Sequence, residues 1–582
     1  MTAHTFNIDS TSFQSENQEA RKQDGNRQAA KTEFGENERR AAGLAARLLL
    51  IWILLALAGC AAGVPQPSTT TPQPPTPTPS AGEPPVTASI APNATATAPA
   101  PNPNAAAATT PADRPTPQPS PATGSPTETP DPCSALPTQG DAPAYRLQAV
   151  AELSAHRLRV YQQVTLTDPT RLATGEIRFN VLANHAAGVF TLMGVRLAGD
   201  HTPLTATLTD TTLRVELPAA LRDATTATLC LDFTLNLSPA ADTGGITAAH
   251  ALGWSDLGDV AGAWYPLLAP YAAGTGWILT PYHPVGDPLV AEAADYAVTV
   301  TAPAGYAVIG AGLQSAQAGV WEFRLPATRA FAFVVTDRLV VTQADVDGIP
   351  VRIYHLPEHQ AAAQDALTAA GEALPLFVRT FGAYPYADLT IVEAVQFGGM
   401  EYSGLITFSS QWFADYRSPA EGEEFGADFL IRFVVHEIGH QWWYAAVGNN
   451  QATEPWLDEA LARFGEWLYY AQLHPAHLAW WEAPSAGMAT VPLDQPIYNF
   501  QDTTSYVQAV YVSGTRFLLA VRDRMGEAAF TAFLRDYYRQ HRGRLVSGAE
   551  FLATLRAHAG PALDDLLPAY FGSLPHNVMS NE

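Results

Sequence analysis

The segment HEIGH, residues 436–440, places two histidines and a glutamate within one predicted helix. Helical residues four positions apart lie on the same face, so His436 and His440 can present two imidazoles to one metal ion. Glu437 lies about 100° around the helix from His436, beside the metal's open position, where its carboxylate can act as a general base. The alternative is a core helix that carries a surface pair of histidines.

A catalytic zinc ion needs a third protein ligand and one position left for water. Glu459 is the candidate, because it follows His440 by nineteen positions in WLDEA, after the loop VGNNQATEP. A zinc ion held by two histidines and a carboxylate lowers the pKa of bound water, and Glu437 can take the proton as the water attacks a carbonyl carbon. The spacing therefore predicts hydrolytic metal chemistry.

Two helices must position these side chains. The first is predicted over ADFLIRFVVHEIGHQWWYAA, with Asp428 as its N-cap and Gly448 shortly past its end. The second is predicted to open at Pro455, a favoured first-turn residue, and to run through WLDEALARFGEWLYYAQL. A third helix is predicted over YVSGTRFLLAVRDRMGEAAF, residues 511–530.

Three motifs carry a resemblance to a known family. HEIGH, eighteen intervening residues and Glu459 resemble the HExxH-x18-E signature of the gluzincin zinc peptidases of the aminopeptidase-N family. GGMEY, residues 398–402, resembles that family's GxMEN exopeptidase motif, and Tyr511 in YVSG is similar to its oxyanion-stabilising tyrosine. Looser similarity, in AWYPLLAPY, GWILTPYHPVGD and ADYAVTVTAP, extends the resemblance over residues 143–572.

The resemblance implies one Zn²⁺ per chain, held by His436, His440 and Glu459, with Glu437 as the general base. The chain departs from the family beside the third ligand, where Asp458 and Ala460 replace the usual Asn and Gly, and in GGMEY, where tyrosine replaces the usual Asn. Neither change removes a ligand.

The resemblance also implies how a substrate would bind. Glu401 would pair with the free α-amine and place the first peptide bond over the metal. Tyr511 would donate a hydrogen bond to the oxyanion. The strand of Gly398, Gly399 and Met400 would pair with the substrate through its backbone. The alternatives are that Glu401 is a solvated acid at a strand end and that Tyr511 is a core tyrosine.

Short runs with period two, such as LRVYQQVTLT and ATLCLDFTLNL, fill residues 143–343 and predict an antiparallel β-sandwich or saddle. Longer helical segments follow, with the strand-like DLTIVEAV among them. We therefore predict an α+β multidomain protein with a β-sandwich over 141–343 and a mostly α catalytic domain over 344–575. The resemblance implies a thermolysin-like fold for the catalytic domain. A short tail, 576–582, completes the chain.

The front of the chain predicts export. Residues 61–132 contain 21 of the 47 prolines and no aromatic residue, which indicates a disordered linker that we extend over 61–140. The apolar segment 48–60 follows a basic flank, as in a signal peptide, and its end, LAGC, resembles a bacterial lipobox with Cys60 as the lipidated residue. An uncleaved signal anchor is the alternative. Residues 1–47 are predicted to be a disordered n-region or cytoplasmic tail, unless the true start lies downstream of Met1. Both the lipidated form and the uncleaved signal anchor predict an extracytoplasmic, membrane-anchored protein.

Cysteine usage and net charge limit the compartment and the partners that the protein can have. With Cys60 lipidated, Cys133 and Cys230 remain to form a disulfide in an oxidising compartment or to stay as two unpaired core residues. Residues 133–582 contain 24 Arg against 45 Asp plus Glu, and such a surface repels phosphate. The charge therefore disfavours a nucleic-acid partner.

These features predict a membrane-anchored zinc aminopeptidase that removes N-terminal residues from peptides outside the cytoplasm. One alternative is a catalytically silent peptide-binding protein of the same fold, and another is a different zinc hydrolase, either an endopeptidase or an epoxide hydrolase. The complete ligand set with Glu437 favours an enzyme over a silent protein. GGMEY favours amine recognition over endopeptidase activity and leaves the epoxide hydrolase open.

Overall fold

The computed structural model describes Cys133 and residues 142–240, 251–396, 398–419 and 425–572. The predicted tails, the signal segment with Cys60 and, apart from Cys133, the linker through residue 140 lie outside these residues. Within the described chain, no helix is both long and apolar enough to cross a membrane.

The strands of the described chain begin and end as follows: β1 Ala144–Glu152, β2 Arg157–Leu166, β3 Glu176–Asn180, β4 Phe190–Leu197, β5 Ala206–Thr209, β6 Thr212–Glu216, β7 Ala227–Asn236, β8 Leu252–Ser255, β9 Gly258–Ala261, β10 Leu267–Leu268, β11 Tyr271–Ala272, β12 Gly276–Trp277, β13 Ala294–Thr301, β14 Ala307–Ile309, β15 Leu313–Gln317, β16 Val320–Thr328, β17 Phe333–Thr336, β18 Val340–Val346, β19 Ile349–His355, β20 Leu389–Ala394, β21 Gly399–Tyr402 and β22 Leu405–Ser409.

The helices of the same residues are α1 Pro169–Ala173, α2 Gln360–Thr380, α3 Ser410–Asp415, α4 Phe429–Gly439, α5 Trp456–Leu473, α6 Leu478–Glu482, α7 Thr503–Tyr506, α8 Gly514–Met525, α9 Glu527–His541 and α10 Gly548–Ala559. A π-helical segment, Val507–Ser513, joins α7 to α8.

The β-rich part is built on a seven-stranded sheet in the order β15-β16-β13-β1-β2-β7-β4, with smaller sheets of two and four strands beside it. Alternation makes the strands: in β1, Tyr145, Leu147, Ala149 and Ala151 are buried while their neighbours are not. The expectation of a purely antiparallel sandwich or saddle was wrong at one pairing, since β1 and β13 are parallel. The chain from β2 to β12 supplies the long crossover that parallel neighbours need, and period-two alternation carries no information about it.

A disulfide joins Cys133 to Cys230 within this part, with Cα atoms 5.9 Å apart. Cys230 lies in β7, between β2 and β4. Both sulfur-bearing residues are fully buried.

The following part, within residues 340–572, is called the catalytic part after the predicted catalytic domain. It is mostly helical and contains one mixed sheet in the order β18-β19-β20-β22-β21. The predicted strand DLTIVEAV corresponds to β20, whose six residues are all buried, as expected for a central strand. The domain boundary that we expected between residues 343 and 344 falls inside β18. That strand pairs with β19 and therefore belongs to the catalytic sheet.

Helix α4 begins directly after Asp428, the predicted N-cap. The Asp428 side chain accepts a hydrogen bond from the Leu430 backbone N–H, as an N-cap residue does. The helix ends at Gly439, with His440 as its C-cap, whereas we expected helix through residue 446. Tyr444 has a φ of 110°, which excludes a continuing helix there. Its carbonyl accepts a hydrogen bond from Arg329 Nε at 2.6 Å, so a residue of the β-rich part fixes this turn.

Arg329 joins the two parts of the fold. Its guanidinium is buried and also donates to the carbonyls of Ala291, Ala446 and Arg544. The core of the β-rich part continues into the catalytic part through Met400, Tyr402 and Tyr444, among other residues. The segments that carry Met400, Tyr402 and Tyr444 therefore pack directly against the β-rich part.

Candidate metal centre

The three candidate ligands meet at one point. His436 Nε2 lies 3.0 Å from His440 Nε2 and 3.2 Å from Glu459 Oε2, and His440 Nε2 lies 3.3 Å from the same oxygen. All three side chains are buried. Bonds of about 2.0–2.1 Å at tetrahedral angles would separate ligand atoms by about 3.3–3.4 Å, so the set has the dimensions of a zinc site.

The other nitrogen of each imidazole already has an acceptor. His436 Nδ1 lies 2.7 Å from Glu466 Oε1, and His440 Nδ1 lies 3.0 Å from the Trp443 carbonyl oxygen. With hydrogens on both Nδ1 atoms, the two Nε2 atoms present lone pairs toward each other and toward Glu459. Three acceptors that converge in this way require positive charge between them, and they fit a zinc ion.

Electrostatics lead to the same conclusion. Burial alone would raise the pKa of Glu459, but the hydrogen bonds and charges of His436 and His440 hold it well below its usual range. Burial alone would lower the pKa of His436, but Glu459 and Glu466 raise it to about 9. The centre therefore attracts protons, and a metal ion that binds there must displace them.

Glu466 was not among the residues predicted from sequence. It lies two turns after Glu459 on α5 and accepts from His436, from Arg432 Nε at 2.7 Å and from Trp481 Nε1 at 2.6 Å. Burial alone would raise the pKa of Glu466, but Arg432 and His436 lower it to about 2. The sequence did contain a signal for Glu466, namely ionisable residues at helical spacing on two otherwise apolar helices. They lie at positions 432, 436 and 440 of the first helix and at 459, 463 and 466 of the second.

Glu437 is buried and has one carboxylate oxygen, Oε2, without a hydrogen-bond partner among the described residues. Its other oxygen lies against Gly399, where an added Cβ would come within 2.3 Å of Oε1. Gly398 has a φ of +76°, which favours glycine. Both glycines of GGMEY are thus explained, because they bring β21 against the candidate base. Burial raises the pKa of Glu437 to about 8.

Glu401 lies in β21, and its charge acts on that of His440. It is 6% exposed and accepts from Gln451 Nε2 at 3.2 Å, so it is not a solvated acid at a strand end. The same amide donates to Asp458 Oδ2 at 2.6 Å, and Asn449 donates to Asp458 Oδ1 at 2.9 Å. Asp458, one of the departures from the family pattern, therefore holds the amide that contacts Glu401.

Tyr511 lies in the π-helical segment Val507–Ser513 and is half-buried. Its hydroxyl donates to Glu459 Oε1 at 2.5 Å, and its ring stacks on that of His436 at a centroid distance of 5.8 Å. The expected third helix is therefore interrupted twice, by this π segment and at Gly526, which has a φ of +82°. Such π segments are frequent at functional sites.

Residues 366–570 match the peptidase family M1 domain, a span that covers less than half of the chain. The chain is 26% identical over 233 residues to aminopeptidase 2 of Candida albicans, a match that covers 38% of this chain and 25% of that protein. It is 29% identical over 152 residues to endoplasmic reticulum aminopeptidase 1 of Homo sapiens, a match that covers 25% of this chain and 16% of that protein. The chain thus matches only a quarter or less of the length of these two relatives.

The fold resembles solved structures over most of its length. An M1 zinc metallopeptidase from Deinococcus radiodurans has a TM-score of 0.52 and 19% identity, covering 75% of this chain and 95% of that one. A mutant M1 zinc metallopeptidase from the same organism, bound to a Tyr-Ser-Ala substrate, has a TM-score of 0.52 and 18% identity. This match covers 76% of this chain and 98% of that one. The chain therefore has the fold of these two proteins.

Proposed function

We propose that this protein is a zinc-dependent aminopeptidase that hydrolyses the first peptide bond of substrates with a free N-terminus. The observation that carries the proposal is the convergence of His436, His440 and Glu459 beside a buried carboxylate, Glu437, that has an oxygen without a partner among the described residues. The M1 matches support the same class of enzyme.

The metal would be held by His436 Nε2, His440 Nε2 and a Glu459 carboxylate oxygen. When bound there, Zn²⁺ would lower the pKa of a water molecule and polarise the carbonyl of the scissile bond. Glu437 accepts the water's proton and later delivers a proton to the leaving amine.

The remaining residues orient the substrate. Glu401 pairs with the N-terminal ammonium, which fixes the distance from the amine to the first peptide bond. The backbone of Gly398, Gly399 and Met400 pairs with the substrate as an added strand. Tyr511 transfers its hydroxyl hydrogen bond from Glu459 to the oxyanion of the tetrahedral intermediate.

We also propose that the enzyme works outside the cytoplasm, anchored through Cys60 or through the apolar segment that precedes it. The disulfide between Cys133 and Cys230 supports this location, because such bonds persist in oxidising compartments.

The test is to measure zinc content and release of a chromophore from a panel of aminoacyl anilides, with and without a chelator. Each anilide is paired with its N-acetylated form. We expect zinc close to one per chain and release that the chelator abolishes and that N-acetylation prevents. Stoichiometric zinc without release from any free-amine anilide would contradict the proposal and would favour a silent binding protein or another hydrolase.

Glu437→Gln is the matched variant, since it keeps the size of the side chain and removes its basicity. We expect zinc content to stay the same and kcat to fall about 10²–10⁴-fold. Retained turnover would assign the base to another residue.

A further inference from the structure

Arg463, on α5 between Glu459 and Glu466, is a buried arginine whose guanidinium lacks an anion. It is 4% exposed, and its Nε is buried without a hydrogen-bond partner. Among the described residues, no oxygen accepts a hydrogen bond from this guanidinium and no carboxylate forms an ion pair with it. The guanidinium lies over the ring of Trp481, with Cζ 5.1 Å from the ring centroid.

The carboxylate that could neutralise Arg463 is already occupied. The charge of Glu466 acts on Arg463, but the two oxygens of Glu466 accept from or contact Arg432, His436 and Trp481. Burial and the charge of Arg432 lower the pKa of Arg463 to about 10, so the guanidinium is still charged at neutral pH. A buried cation without an anion is costly, and contact with one aromatic ring offsets only part of that cost. An anion carried by a ligand would complete this site.

Arg463 lies beside the candidate metal centre. It follows the ligand Glu459 by one helical turn, which is about 6 Å along the axis of α5. Side chains on a helix lean toward its N-terminus, so the guanidinium extends back toward the turn of Glu459. The same helix packs against the π-helical segment, and the Tyr511 phenol acts on the pKa of Arg463.

The first turn of α5, on the other side of Glu459, is acidic. Asp458 accepts from the Gln451 amide, which also donates to Glu401. The charge of Glu401 raises the pKa of Asp458 and that of Asp287, an acid in the segment between β12 and β13. The end of the site at which we place the substrate's amine is therefore negatively charged.

The next turn of α5 is basic. The charges of Arg432 and of Arg516, on α8, both lower the pKa of Arg463, so three guanidinium groups lie close enough to interact. A substrate whose amine lies at Glu401 and whose first peptide bond lies over the metal would continue toward this basic side. One residue of extended chain spans about 3.5 Å, so the residue after the scissile bond would come within reach of Arg463.

We propose that Arg463 binds a carboxylate of the residue that follows the scissile bond, so that the enzyme prefers substrates with an anion at this position. The inference rests on the proposed function and deepens it by naming a substrate class. The carboxylate is either the free C-terminus of a dipeptide or the side chain of aspartate or glutamate in a longer peptide. Both present two oxygens that a guanidinium binds through paired N–H groups.

The experiment measures binding by calorimetry to the zinc-loaded full-length Glu437→Gln protein, in which the ligands should not be consumed. Two pairs of ligands differ within each pair only in a carboxylate. Leu-Ala and Leu-Ala amide test the free C-terminus, and Leu-Glu amide and Leu-Gln amide test the acidic side chain.

We expect at least one pair to show a preference of about tenfold or more for the anionic member. Adding Arg463→Gln should abolish this preference and leave the affinity for the neutral members unchanged. Arg463→Lys should keep part of the preference, because lysine retains the charge but not the paired donors.

Arg539→Gln is the matched control. It removes the same charge from an exposed arginine of α9 that pairs with Asp536 at 2.8 Å, and we expect it to retain the full preference. The proposal would be overturned if neither pair showed a preference or if Arg463→Gln kept it. Equal loss of affinity for anionic and neutral ligands would also overturn it, because Arg463 would then act only by supporting Glu466.

Turnover of the same four peptides by the native chain separates this proposal from the proposed function. If none is cleaved but the binding preference depends on Arg463, the function fails and the carboxylate site stands. If the neutral amides are cleaved but no carboxylate improves either binding or kcat/KM, the function stands and the role of Arg463 fails.

Discussion

The centre contains two pairs of buried carboxylates that differ in how they are neutralised. Glu459 and Glu466, on α5, face His436, His440 and Arg432, and each of their oxygens lies within hydrogen-bonding distance of a hydroxyl, an imidazole or a guanidinium group. Among the described residues, Glu401 accepts a hydrogen bond from a side-chain amide and Asp287 accepts one from the backbone. The first pair has a low pKa and the second a raised one, although all four carboxylates are buried.

Under the proposed function, this difference suits two kinds of cation. A carboxylate held by fixed partners is prepared for a cation that stays, because its geometry does not change on binding. A carboxylate left unsatisfied carries a continuing desolvation penalty that only a ligand removes, which suits a cation that enters and leaves with each turnover. Burial alone would not distinguish them, since the pairing partners decide the sign of the pKa shift.

The largest effect should come from Tyr511→Phe, which removes one partner from the neutralised pair. We expect kcat to fall about 10²–10³-fold, because the oxyanion loses its hydrogen-bond donor. Zinc content should not change, since the three ligand atoms remain. Steady-state kinetics together with metal analysis would check this, and a fall in zinc occupancy that explained the whole loss would contradict the assigned role.

A smaller effect is expected for Glu466→Gln. The variant keeps the shape of the side chain but removes the charge opposite His436 Nδ1, so we expect zinc affinity to weaken about 10–100-fold in a competition with a chelator. Glu372→Gln is the matched control, because Glu372 also pairs with a histidine, His474, and with Tyr469, away from the ligands. Equal weakening in both variants would mean that the effect comes from general destabilisation.

The smallest effect concerns Glu454, a half-buried acid outside both pairs, whose Oε1 accepts the Gly548 backbone N–H at 2.9 Å. Burial raises its pKa to about 7. Because the folded pKa exceeds the unfolded value, its contribution to stability is present below about pH 4.5 and is lost as the pH rises through 7. Because glutamine does not ionise, we expect the free energy of unfolding of Glu454→Gln to fall by on the order of 1 kcal/mol less than that of the native chain over this pH range.

Urea unfolding between about pH 4.5 and 7.5, the window that brackets the two pKa values, would measure this difference. The native chain should lose stability relative to Glu454→Gln as the pH rises. Parallel pH profiles for the two proteins would show that this carboxyl is ionised when folded, and that burial with one backbone donor does not suffice to raise a carboxyl pKa in this fold.

The positions of the ligand candidates could be predicted because helical spacing is a local property. His436 and His440 follow from one turn of helix, and the sequence places the start of α5 within one residue of Pro455. The end of α4 could not be predicted, since Arg329, more than a hundred positions away, holds the carbonyl of Tyr444.

Asp287 and the parallel β1–β13 pairing could not be predicted for the same reason. Both depend on which distant segments the fold brings together, and no periodicity links residue 287 to residue 401. The role of the Gln451 amide could not be predicted either. A glutamine in a loop looks the same in sequence whether or not its side chain bridges two acids in the fold, as Gln451 does for Glu401 and Asp458.

The disulfide determines where a mechanical load enters the protein. A pull on the chain before Cys133 is transmitted through Cys230 to β7, which lies inside the large sheet, rather than to β1, the strand that follows next in sequence. β7 pairs with β2 along its whole length and with β4 over residues 229–235, so tension is shared by two neighbouring strands. If the chain is anchored ahead of Cys133, as we propose, the candidate metal centre would keep its geometry under tension, because the load enters the large sheet through β7.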